Sequence, residues 1–136
     1  MSTHTLKGGC QCGAVRYEIS GEPITTAVCH CTTCRRANGA PVVAWTMFAE
    51  DQVVFTEAKP KLYRPNNEVA RGFCADCGTP VSFQADYIPG LIDITVGSLD
   101  DPESVSPAMH YWHSKHLGWV VFDDSLPRHP EFPPQE

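Results

Sequence analysis

Seven cysteines in three tight groups constrain this 136-residue chain more than any other feature of its sequence. Cys10-x-Cys12 lies near the start, Cys29-x-Cys31-x-x-Cys34 follows, and Cys74-x-x-Cys77 lies past the middle. An odd count fits a closed disulfide framework poorly, and thiols this closely spaced suit metal binding better. Because cysteine is part of the 42% hydrophobic residues, the ordinary apolar core is smaller than that figure suggests. Metal crosslinks would help such a core.

The spacing sorts the cysteines into two sets. In Cys74-Ala75-Asp76-Cys77-Gly78 a tight turn can aim both sulfurs at one metal, with Gly78 taking the left-handed backbone that follows. A redox Cys-x-x-Cys needs a helix starting at its first cysteine. Here Thr79-Pro80-Val81-Ser82-Phe83 reads as turn and strand, so the zinc knuckle is the better reading. A knuckle supplies two ligands, and Cys10-x-Cys12-Gly13, with the same Cys-Gly ending, supplies the other two. Cys10, Cys12, Cys74 and Cys77 then form a closed structural zinc site that ties distant parts of the chain together.

Cys29, Cys31 and Cys34 remain. In an extended segment residues i and i+2 point the same way and i+1 points opposite. Cys29 and Cys31 can therefore share a metal while His30 faces away, and a turn through Thr32-Thr33 returns Cys34 to the same point. Three thiolates with a free fourth position match a catalytic zinc, so the chain is expected to hold two zinc ions. Two alternatives stay open: a distant fourth ligand from His110, His113 or His116, or three simply reduced, buried thiols.

The rest of the chain reads as mainly β, in short strands with little helix. AVRYEIS alternates, with Val15, Tyr17 and Ile19 on one face. ITTAV leads into the second cysteine group, and VVAWTMF (42–48) and VVF (53–55) read as strands around a Glu50-Asp51 turn. Residues 61–64 and 69–73 read as a hairpin around Pro65-Asn66-Asn67. PVSF, IDITVGS, MHYWH and GWVVF are further strand candidates, and CRRAN is expected to make one helical turn before Gly39. Residues 1–7 read as a loose lead-in, and Trp45, Trp112 and Trp119 as core. The Pro-rich tail 127–136 is expected to run extended over the surface. One domain is expected over 1–136, with its core at about 8–126.

A formal net charge of −6 disfavours a general nucleic-acid binder, which relies on Lys and Arg. The start, MSTHTLKGGCQCG, lacks the apolar stretch of a secretion signal, and no run approaches the roughly 18 apolar residues of a membrane span. The expected location is the cytoplasm, where thiols stay reduced.

Taken together, GGCQCGAVRYEI, CHCTTCRRANGAP, GFCADCGTPVSF, VGSLDDP and SKHLGW resemble, in this order, the glutathione-dependent formaldehyde-activating enzyme family, which shares its domain with centromere protein V. The resemblance spans residues 8 to about 126. It implies a β-tent of antiparallel sheets pinned by zinc, with Cys10, Cys12, Cys74 and Cys77 as structural ligands and Cys29, Cys31 and Cys34 as catalytic ligands. It implies a carbon–sulfur lyase that adds glutathione to formaldehyde to give S-hydroxymethylglutathione. The expected partners are a small thiol such as glutathione and a small aldehyde, with no nucleic acid and no membrane. Three thiolates weaken the Lewis acidity of a metal, which favours thiol capture over carbonyl polarisation. Arg35, just beyond Cys34, is the expected partner of a glutathione carboxylate, and His110 is a possible proton relay. Two other classes compete: a non-catalytic zinc-scaffolded binding module, in which the second cysteine group is another clip, and a thiol redox or metal sensor.

Overall fold

The computed structural model describes residues 5–133. Ten short strands build two sheets, and the only α-helix among the described residues has seven residues. The smaller sheet takes β1 (Thr5–Gly9), β2 (Arg16–Ser20) and β5 (Val53–Phe55), all antiparallel, with β2 in the middle. The larger sheet adds β3 (Thr25–Cys29), β4 (Val43–Ala49), β6 (Lys61–Tyr63), β7 (Val69–Phe73), β8 (Pro80–Ala85), β9 (Leu91–Thr95) and β10 (Met109–Tyr111). Its order is β10-β3-β4-β9-β8-β7-β6. Every neighbouring pair is antiparallel except β10 with β3, which is parallel and departs from the all-antiparallel expectation.

The core follows from the alternation. Val15, Tyr17 and Ile19 are buried and meet Phe48, Val81, Ile92 and Ile94 of the larger sheet. Tyr17 brings a hydroxyl into this apolar layer, and Ser98 Oγ satisfies it at 2.6 Å. The close fit explains why β1 ends in glycines: a Cβ on Gly8 would collide with the Tyr17 ring and the Ser98 carbonyl. The lead-in is thus a paired strand from Thr5 onward, while residues 1–4 lie outside the described part.

The strands on either side of Glu50-Asp51 do not form a hairpin. Residues 50–52 make a 3-10 turn whose Gln52 side chain accepts from Ala49 N–H (2.8 Å) and donates to the Ser20 and Glu22 carbonyls (2.9 and 3.1 Å). Those bonds pass the chain from the larger sheet to the smaller one. The hairpin of β6 and β7 forms as read, and IDITVGS is a strand only to Thr95, followed by a 3-10 turn at Val96–Ser98.

Late in the chain the differences are larger. GWVVF forms no strand, and Trp119 and Val121 stand 72% and 83% exposed, so Trp119 is not core. Trp45 is buried beside Cys29, Cys34 and Val43. Trp112 is half-buried and holds a left-handed backbone (φ 56), a costly conformation for a non-glycine residue, with its N–H donating to the Glu131 carbonyl at 2.9 Å. The tail is not simply spread over the surface either. His110 N–H donates to the Pro127 carbonyl and His129 N–H to the His110 carbonyl, so residues 127–131 cover the free edge of β10. No helix among the described residues is long and apolar enough to cross a membrane.

Candidate metal centres and the adjoining cavity

The structure gathers the seven cysteines into two clusters, divided as their spacing suggests: Cys10, Cys12, Cys74 and Cys77 in one, and Cys29, Cys31 and Cys34 in the other. The first joins the turn after β1 to the turn between β7 and β8, and so bridges the two sheets. Gly13 and Gly78 follow their cysteines at φ 85 and 82, the left-handed turn that a Cys-Gly ending allows. Sulfur separations are 3.6 Å for Cys10–Cys12 and 3.7 Å for Cys12–Cys74. Four sulfurs about 2.3 Å from one zinc in a tetrahedron lie about 3.8 Å apart, so the set fits that ion. Backbone N–H groups aim at the sulfurs: Val15 at Cys10 (3.2 Å), and Asp76 and Cys77 at Cys74 (3.4 Å each). The Thr79 hydroxyl lies 3.2 Å from Cys77 Sγ and holds its thiol down at about 5.

The second cluster sits where β3 ends and α1 (Thr32–Asn38) begins. Cys29 is the last strand residue. Cys31 is the helix N-cap, and its sulfur accepts from Cys34 N–H at 3.2 Å. Gly39, left-handed, closes the helix and donates to the Arg35 carbonyl, so the segment makes nearly two turns rather than one. Cys29 and Cys34 sulfurs lie 3.5 Å apart. Hydrogen bonds from the Cys29 and Cys34 side chains hold the Cys31 thiol far below its ordinary range, and the Arg71 charge adds to this. Cys29, hydrogen-bonded to the other two and buried, is pushed up. Sulfurs that share protons in this way exchange them readily for a soft cation. Among the described residues no fourth His, Cys, Asp or Glu joins the three.

His30 faces the opposite way, as the strand alternation requires. It is 1% exposed and packs among His110, His113, His116 and Phe122. The three downstream histidines gather behind the cysteine strand instead of completing the sulfur cluster. His30 Nε2 lies 2.9 Å from His110 Nδ1, and His110 Nε2 lies 3.1 Å from Asp124 Oδ2. The carboxylate can only accept, so His110 Nε2 donates to Asp124. His30 Nδ1 is buried with no partner, and burial lowers the pKa of this imidazole to about 4. The chain His30–His110–Asp124 anchors the backbone between Cys29 and Cys31.

The three cysteines line a cavity of about 720 Å³ between α1, one face of the larger sheet and the tail. Trp45, Met47, Phe83, Ile88 and Phe132 give it apolar walls. Phe132 packs against Tyr87, Tyr111 and Trp112 at ring-centroid distances of 6.1, 5.7 and 5.8 Å. Arg35 does not line this cavity: its guanidinium donates to the Lys115 carbonyl at 2.7 Å and reaches Thr32 Oγ1 at 3.4 Å. Arg71 does, with its guanidinium carbon 4.9 Å from the Phe83 ring centroid. Asp93 also lines the cavity, where burial raises its carboxyl to about 7. Neither residue was singled out from the sequence. The signal for both was a charge on the otherwise regular alternation of VARGF and LIDIT.

A family model described as glutathione-dependent formaldehyde-activating enzyme matches residues 5–115. An uncharacterized lyase of Schizosaccharomyces pombe is 31% identical over 77 residues. That match covers 57% of this chain and 56% of the yeast protein, so the chain spans little more than half the length of this relative. A crystal structure of a Rhodobacter sphaeroides protein shares the fold with a TM-score of 0.59 and 24% identity, over 74% of this chain and 91% of that one.

Proposed function

The chain belongs to the glutathione-dependent formaldehyde-activating enzyme family, and on that premise we propose that it is a zinc-dependent enzyme of the carbon–sulfur lyase type. Its reaction joins a small thiol such as glutathione to a small aldehyde such as formaldehyde, and in reverse splits the adduct. The observation that carries this reading is the contrast between the clusters. One has four sulfurs and is closed; the other has three, lacks a fourth donor among the described residues and lines a cavity. Cys10, Cys12, Cys74 and Cys77 would hold a structural zinc that pins the two sheets into a β-tent. Cys29, Cys31 and Cys34 would hold the working ion, giving two per chain. When bound there, zinc would supply a position at which a thiol ionises at neutral pH.

The atoms balance without an oxidant or reductant. The thiol sulfur bonds to the carbonyl carbon, the π electron pair moves to the oxygen, and the proton lost by the thiol ends on that oxygen. The residues around the sulfurs prepare this step. The charge of Arg71 opposes the negative charge of three thiolates. Trp45, Met47, Phe83 and Phe132 offer apolar surface that keeps water from competing for the aldehyde. The cavity volume suits a ligand of tripeptide size and holds it close to the sulfurs, where proximity alone speeds addition. Arg35, committed to the Lys115 carbonyl, ties α1 to the segment after β10 in this reading.

Two-dimensional exchange NMR of glutathione with formaldehyde tests the proposal. The zinc-loaded protein should speed adduct formation and breakdown over buffer, and Cys34→Ala should abolish the gain. A Cys34→Ala protein that melts as low as Cys77→Ala would instead make the second cluster another clip and favour a binding module.

A further inference from the structure

Register across the larger sheet lines up four side chains in one row. Arg71 pairs with Phe83, Phe83 with Asp93, and Asp93 with Met47, so all four lie on the same face, and all four line the cavity that the three cysteines share. Neither charge of this row has an ion pair among the described residues. The Asp93 carboxylate has no side-chain hydrogen bond there, and the Arg71 guanidinium lies over the face of Phe83 with its charge acting on Cys31 and Cys34. Opposite charges flanking one aromatic ring, half-buried yet unpaired, normally close on each other or move to solvent. Here no ion pair joins them, and the Arg71 guanidinium stays over the Phe83 ring. Arg71 and Asp93 are two strands removed, which separates their backbones by about 10 Å.

The two charges suit the two ends of a zwitterionic ligand, whose carboxylate and ammonium lie about 3 Å apart. A guanidinium takes a carboxylate in a two-pronged contact, and a carboxylate takes an ammonium. Phe83 stands between them, and its ring carries the Arg71 guanidinium over one face. The sulfur cluster lies elsewhere in the same cavity, so a ligand of tripeptide size can carry a charged head on the row and a thiol at the cysteines.

We propose that Arg71, Phe83 and Asp93 form the binding row for a zwitterionic α-amino-acid head on the thiol substrate, with the carboxylate on Arg71 and the ammonium on Asp93. The site then selects thiols that carry a free amino-acid head over those whose amine is blocked. This deepens the functional reading above and rests on it for the identity of the substrate as a thiol, but the row can be tested without that chemistry.

The test uses the full-length, zinc-loaded protein and two probes with no free thiol, S-methylglutathione and its N-acetyl derivative, titrated by calorimetry. The wild type should bind the free-amine probe at least tenfold more tightly, the value of one charge-assisted contact. Asp93→Asn should bring the two probes to within about twofold of each other, while Arg71→Met should weaken both. A structural defect would not erase the ratio between two nearly identical ligands, and thermal melts of each variant confirm its folding. A wild type that binds both probes equally, or neither up to about 10 mM, overturns the proposal. So does Asp93→Asn if it keeps the preference. Should the exchange NMR fail while the preference and its loss are seen, the row stands and the thiol–aldehyde chemistry falls.

Discussion

Replacing Asp93 by asparagine should stabilise the protein, and by an amount that depends on pH. Asp93 is half-buried on β9 without a partner, and burial lifts its pKa from 3.8 to about 7. Below pH 3.8 the carboxyl is protonated in both folded and unfolded chains and contributes nothing. Between 3.8 and 7 the unfolded chain ionises first, so stability falls as pH rises. Above 7 both forms are ionised and the full cost stands. A shift of about three units corresponds to roughly 4 kcal/mol. Partial exposure to the cavity and desolvation of the new amide reduce the expected gain to about 2–3 kcal/mol at pH 8.5. For a domain of this size that is a rise of roughly 6–12 °C in Tm. The gain should fall by about half at pH 5.5. Paired denaturation curves of wild type and Asp93→Asn at each pH separate this effect from metal loss, which both proteins share. No gain at pH 8.5, or a gain that stays flat between pH 5.5 and 8.5, would refute the reasoning. A carboxylate kept at such a cost is consistent with a binding role, because saturating ligand should return the lost stability.

Other outcomes follow from the same geometry. Cys77→Ala removes a ligand from the cluster that bridges the sheets and should unfold or severely destabilise the protein, whereas Cys34→Ala should leave it folded and inactive; thermal melts with metal analysis distinguish them. Gly72→Ala places a Cβ against the Ser82 side chain and Pro60, at a cost of about 1–3 kcal/mol in chemical denaturation. Phe132→Ala opens the tail wall of the cavity and should raise KM for the thiol severalfold with little change in Tm, since this ring is 51% exposed.

The cysteine groups were legible from spacing because ligand direction is a local property. Alternation alone turns His30 away from Cys29 and Cys31, and two Cys-Gly endings announce two matching turns. The buried faces of β2 and β9 were legible for the same reason. What alternation could not supply was the environment of the other face. In LIDIT it places Asp93 opposite Ile92 and Ile94, which reads as solvent-facing, yet α1, the Tyr87 loop and the tail enclose that face. Arg71 is hidden by the same assumption, and Arg35 is conspicuous only because it adjoins Cys34. The tail reads as surface because its prolines discourage sheet formation, but its remaining backbone groups pair with β10. β1 is not legible because Gly8 and Gly9 argue against a strand, and the reason for glycine lies in contacts outside β1, with Tyr17 and Ser98 at Gly8 and with Val15 and Arg16 at Gly9.

The central claim is that Cys29, Cys31 and Cys34 hold a metal with a position open to thiol, and cobalt tests it most directly. With cobalt(II) in place of zinc, glutathione should shift the visible bands with saturation, and the shift should be absent in Cys34→Ala. A spectrum that stays unchanged at saturating glutathione would contradict the claim, because a three-sulfur site with an accessible fourth position cannot ignore a thiol at that concentration.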